Sequence, residues 1–273
     1  MSESTHPIAA RWRDVRAERR AALIPYLTAG YPSPDDCIGA LRLAERCGAD
    51  LIEVGIPFSD PLADGPTIQR STQAALEAGM TVPRVLELVR AARLGVPVVL
   101  MTYVNPVLAY GVDRFLADAA AAGASGLLLI DFPAGTDEDL ERRVAASPLA
   151  LIRLIAPTTS DDRLAAAVRG ASGFIYCISR LGVTGARSEL PGELETQVRR
   201  IRGVTPLPVV VGFGISSGAQ AQAATRFADG VAVGSALVDA LGSGGSGAAE
   251  RLLRELAVGV RGGGKQTGGA HAA

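Results

Sequence analysis

Short apolar runs rich in branched residues recur along the chain, at 23–29 (LIPYLTA), 51–56 (LIEVGI), 97–103 (PVVLMTY), 126–131 (GLLLID), 149–156 (LALIRLIA), 173–179 (GFIYCIS), 208–214 (PVVVGFG) and 230–235 (GVAVGS). Between them the apolar positions change to a helical period, at 35–48, 82–95, 112–123, 137–147, 161–170 and 192–203. Nearly unbroken apolar strands belong to parallel sheets covered on both faces, with helices as the crossovers. Eight such units in about 250 residues fit a (β/α)₈ TIM barrel. An open doubly wound sheet is the other arrangement that the alternation permits. An additional helix at about 8–20 precedes the first strand and is placed to cap the barrel bottom. The expected organisation is one barrel domain over 1–262, followed by a disordered tail at 263–273. The stretch GSGGSG, from Gly242, reads as loose chain before one last helix, AAERLLRELAVGV.

Four junctions repeat a pattern of helix end, small-residue turn and strand: CGADLIEVG, AGASGLLLI, RGASGFIYC and FADGVAVGS. Glycine at that turn suits the left-handed end of a helix. The repeat strengthens the barrel reading and carries no chemistry.

Composition then narrows the function. A net charge of −1 provides no field for nucleic acid or anionic lipid. No apolar run is long enough to span a membrane, and MSESTHPIAARWRD has no apolar signal segment, so a cytoplasmic protein is expected. Cys37, Cys47 and Cys177 have no metal-type spacing and read as reduced thiols. The lone lysine, Lys265, and both histidines, His6 and His271, sit near the ends, which are expected to be frayed. That removes a Schiff-base lysine, a histidine base and a histidine-held metal from the expected folded body. Neither a metal nor a cofactor is expected, and acid–base chemistry falls to carboxylates, tyrosine or cysteine.

In a barrel, the chemistry sits where strands end and run into helices. Strand alternation puts Glu53 on the interior face with Leu51 and Gly55, and Ile52, Val54 and Ile56 on the helix side. A buried carboxyl with no partner holds its proton and can exchange it near neutral pH. The competing reading pairs Glu53 with Arg153, the other charge inside an apolar run. Asp60 and Asp64 follow in SDPLADGP. Asp beside Pro or Gly is ordinary turn chemistry, but a long loop directly after a candidate acid is also where function concentrates. After strand 6, ISRLGVTGARSELPG reads as a lid with glycine hinges. GFGIS and GS after strands 7 and 8 let backbone N–H groups approach an anion, and both lie where barrels place phosphate.

EVGIPFSDPLADGPTIQ, SRLGVTGAR, VVVGFGIS and VAVGSALV closely resemble the signature segments of the tryptophan synthase alpha subunit family. PYLTAGYP and MTYVNPVLAYG fit the same pattern, collinearly from about Ile24 to Leu241. The resemblance implies a (β/α)₈ lyase that cleaves indole-3-glycerol phosphate to indole and glyceraldehyde 3-phosphate by a retro-aldol step. It implies Glu53 as the acid–base group and Asp64 as acceptor of the indole N–H. Thr184 matches the lid residue that meets Asp64, and Tyr26 and Tyr176 fall in the substrate pocket. Gly185, Gly214, Gly234 and Ser235 match phosphate-binding residues. Asp60 and Pro61 match the contact with a beta subunit in an alpha2beta2 complex. Tyr26 departs from the phenylalanine common in relatives, and Leu181 is bulky for a lid. A protonated indole ring is its own electron sink, so the lyase needs no cofactor. A stand-alone indole-3-glycerol phosphate lyase of specialised metabolism shares these motifs. Another phosphate-binding barrel would leave Asp64 unexplained, and a catalytically silent partner of a beta subunit would not keep both acids.

Overall fold

The computed structural model describes residues 6–178, 192–212 and 214–263. Among them, eight parallel strands close into a barrel in sequence order, each hydrogen-bonded to the next and the last to the first. The strands are β1 (Ala22–Thr28), β2 (Ile52–Gly55), β3 (Val98–Thr102), β4 (Ala124–Leu129), β5 (Ala150–Ile155), β6 (Ile175–Ile178), β7 (Val209–Gly212) and β8 (Gly230–Val233). The closing pair aligns Ala22–Pro25 with Gly230–Val233. The closed topology decides against the open sheet.

Helices α1 (Pro7–Ala17), α2 (Pro34–Arg46), α3 (Pro66–Glu77), α4 (Val82–Ala92), α5 (Val104–Tyr110), α6 (Val112–Ala122), α7 (Glu138–Ala146), α8 (Asp161–Ala167), α9 (Gly192–Arg202), α10 (Gly218–Thr225) and α11 (Ser235–Gly262) complete the described chain. Their starts follow from local chemistry. Proline opens α1, α2 and α3, where its missing N–H costs no hydrogen bond. Ser33 and Asp137 cap α2 and α7 by accepting the N–H of Asp36 and Leu140.

Two sequence expectations change here. The GSGGSG stretch is not loose: two helical segments, together α11, meet within it at a kink at Gly245 (φ 62°, ψ −161°). Leu237, Val238 and Leu241 before that break, and Leu253 and Leu256 after it, are all buried, so packing overrides the poor helix propensity of glycine. His6 is also part of the described fold. Its Nδ1 accepts the Ile8 N–H at 3.2 Å and its Nε2 meets the Pro148 carbonyl at 3.1 Å, which fixes the start of α1. Lys265 and His271 lie outside the described residues.

Alternation sorts the strands into two layers. Ile52, Val54, Leu100, Leu127 and Leu151 face the helices in one outer cluster. Ile24, Leu51, Val99, Leu128, Ile152, Phe174 and Val210 fill the interior. Each such side chain, fully buried, contributes roughly 1.5–3 kcal/mol of hydrophobic stabilisation. From below, Ile8 and Trp12 of α1 insert into the interior cluster, with Trp12 edge-on to Phe174 at 6.0 Å. The interior of the barrel is therefore filled with hydrocarbon from below. Cys37, Cys47 and Cys177 are buried free thiols.

Candidate active site

The barrel mouth encloses a cavity of about 240 Å³, lined among others by Tyr26, Glu53, Asp64, Tyr176, Gly214, Gly234 and Ser235. Strand register assembles the inner part. Tyr26 of β1 is level with Glu53 of β2, and both tyrosines lean over a neighbouring glycine. A Cβ on Gly55 would overlap the Tyr26 hydroxyl, and one on Gly212 would overlap that of Tyr176. Glycine at these two positions is therefore what gives the rings room at the mouth. The Tyr26 hydroxyl is hydrogen-bonded to Thr28 Oγ1 at 3.3 Å, and Thr28 Oγ1 to Ser71 Oγ at 2.7 Å.

Glu53 is fully buried, and neither carboxyl oxygen has a hydrogen-bond partner among the described residues. Burial alone pushes its pKa up to about 8. The carboxyl is therefore mostly protonated at neutral pH and close enough to that pH to exchange its proton. Arg153 is not its partner. It lies on the helix side of β5, donating to Glu141 Oε1 at 2.6 Å and to the carbonyls of Phe132 and Arg169 at 3.0 and 3.3 Å.

Asp64 enters from the loop after β2. Burial raises its pKa to about 6, opposed by a hydrogen bond from the Tyr103 hydroxyl. Both acids are thus raised, by unequal amounts, and around pH 7 one is mainly protonated and the other mainly ionised. Tyr103 was not singled out by sequence reasoning. It is 5% exposed, accepts the Ala63 N–H at 3.1 Å and packs on Phe58 with ring centroids 5.3 Å apart, so it ties the Asp64 loop to β3. Its only sequence signal is its place at the exit of a barrel strand.

Across the cavity, Gly214 follows β7 with φ of +86°, a conformation suited to glycine. β8 passes through Gly234 directly into α11, so the first N–H groups of that helix, which have no intrahelical acceptor, border the space. Asp60 and Pro61 are separate from this cavity. They line an exposed groove with Phe58 and Leu62, where Leu62 is 93% exposed. Thr184, Gly185 and Leu181 lie outside the described residues. Among the described residues, no cluster of side chains could hold a metal ion.

Residues 12–262 match the family model described as tryptophan synthase alpha chain. The chain belongs to this family. It is 48% identical over 259 residues to the tryptophan synthase alpha chain of Gluconacetobacter diazotrophicus, covering 91% of this chain and 94% of that one. Among solved structures, a tryptophan synthase from Mycobacterium tuberculosis is 44% identical with a TM-score of 0.86, covering 93% of this chain and 98% of that one. The alpha subunit from Legionella pneumophila is 34% identical with a TM-score of 0.86, covering 94% and 99%. As a tryptophan synthase alpha chain, the protein is a lyase of tryptophan biosynthesis acting on indole-3-glycerol phosphate. Among its described residues, no helix is long and apolar enough to cross a membrane.

Proposed function

We propose that Glu53 and Asp64 divide the chemistry of indole-3-glycerol phosphate cleavage between them. The observation that carries this reading is their presence in one cavity with unequal pKa values, about 8 and about 6. Glu53, holding its proton, delivers it to C3 of the indole ring. The positive charge that develops on the ring nitrogen is stabilised by ionised Asp64, which accepts the N–H. The Glu53 carboxylate then takes the proton from the glycerol hydroxyl next to the bond that breaks. A carbonyl forms there, and the electrons of the broken C–C bond restore neutral indole. Glu53 ends protonated, ready for the next substrate.

Tyr26 and Tyr176 shape the indole pocket. Gly214, Gly234 and Ser235, with Gly185, hold the phosphate through backbone N–H groups and the positive end of α11. The exposed groove with Asp60, Pro61 and Leu62 faces a beta subunit in an alpha2beta2 complex, because an exposed leucine at the mouth suits a covered surface. The complex works in the cytoplasm.

Purified protein incubated with indole-3-glycerol phosphate is expected to yield indole and glyceraldehyde 3-phosphate in equal amounts. Asp64→Asn is expected to lower kcat/KM by at least ~10-fold while glycerol phosphate still binds, since a charge made useful only in the transition state is lost. Normal turnover by this variant would remove Asp64 from the mechanism.

A further inference from the structure

A second cavity, of about 560 Å³, opens at the opposite end of the barrel, between α1 and the segments that lead into β5, β6 and β7. We infer that it is a binding site for a small organic anion with a flat apolar body. The apolar lining is made by Trp12 and Leu149, which are buried, and by Pro148, Pro206 and Leu207 nearer solvent. Arg13 and Arg16 stand one helical turn apart at the rim, exposed, and neither forms an ion pair with any described residue. Among the described residues, no carboxylate lines the cavity.

Of the polar side chains in the wall, His6 is spent on the chain itself and Ser172 keeps a donor. His6 takes the Ile8 N–H on Nδ1, which leaves the hydrogen on Nε2, against the Pro148 carbonyl. The Ser172 hydroxyl oxygen accepts the Leu151 N–H, so its own hydrogen remains to be donated. The Trp12 indole N–H is buried out of reach of the cavity, without a partner among the described residues, and adds no donor to it. A cation would meet two unopposed guanidiniums. A bare inorganic anion would leave the apolar wall unfilled. A ring carrying a carboxylate satisfies both ends, with the ring against Leu207 and the proline walls and the carboxylate between the arginines. The size lies in the ordinary range for small-molecule sites.

The chain contains a single tryptophan, so its fluorescence reads this cavity alone. The test is a titration of the full-length protein with sodium benzoate, beside benzyl alcohol as the uncharged ring and sodium acetate as the anion without a ring. Benzoate is expected to produce a saturable change in Trp12 emission. Each control should bind more weakly by roughly fivefold or more, the discrimination of one modest contact. The double variant Arg13→Ala/Arg16→Ala should weaken benzoate by a similar factor while keeping its rate of indole formation, which verifies the fold. An absent or non-saturating signal would overturn the inference. So would equal affinity in the double variant, or benzyl alcohol binding as tightly as benzoate.

Discussion

Strands β2 and β5 each carry one ionisable side chain inside an apolar run, and both residues are almost completely shielded from solvent. Glu53 faces the barrel interior, where nothing described neutralises it. Arg153, one position out of phase, faces the helices and meets Glu141 and two carbonyls. The guanidinium cannot shed its charge, so its surroundings supply acceptors. The carboxyl can take a proton, so its surroundings supply none, and burial raises its pKa. Equal burial therefore has opposite meanings. At β5 the charge is retained and locks β5 to α7. At β2 burial keeps the carboxyl protonated, and the charge is absent.

The sharpest test of this contrast is Glu53→Gln. The amide keeps the shape and loses the exchangeable proton, and indole formation should fall by roughly 10²–10⁴-fold, the range for a general acid–base group. Near-native turnover would end the assignment. Next is Arg153→Met, which strands Glu141. Denaturant unfolding should show a loss of about 3 kcal/mol, as for breaking a buried pair, with kcat of the folded protein unchanged. A fall in kcat without a fall in stability would place Arg153 in the reaction.

The third effect is a slope. Folding lifts the Glu53 pKa from 4.5 to about 8, so over that window the native state holds a proton that the unfolded chain has released. Its favourable contribution is complete below pH 4.5 and is lost as pH rises through 8. Thermal unfolding of Glu53→Gln, followed against pH, should gain on the native chain across this range. A constant difference would mean that Glu53 ionises freely in the fold. The smallest effect concerns Tyr103→Phe. The native profile of kcat/KM should be a bell with limbs near 6 and 8. Removing the Tyr103 donor should move the acid limb upward by less than a unit and leave the alkaline limb in place. An unmoved acid limb would detach Tyr103 from Asp64.

The barrel was legible because alternation is dictated by two-sided burial, and Glu53 because one acid broke an otherwise uniform pattern. Local chemistry misled elsewhere. The stretch after β2 read as one long loop, yet Pro66 opens α3, since proline is as suited to a first helical turn as to a bend. Glycines beyond Gly242 read as loose chain, because the elements that hold the flanking leucines of α11, β1 and α2 among them, are distant in sequence. Tyr103 was invisible for a similar reason: its contact with the loop at Ala63 spans 40 positions. Arg153 was recognised as unusual, but which face it occupied depended on a register that composition does not reveal.

The barrel closes by joining β1 to β8, and β8 runs without a loop into the helix that borders the cavity. The far wall of the pocket is thus among the last structures the ribosome delivers. A nascent chain that has exposed Glu53 and Asp64 still lacks the seam opposite them. Premature termination before Gly230 would therefore leave a product with both acids but without the β1–β8 seam and the start of α11.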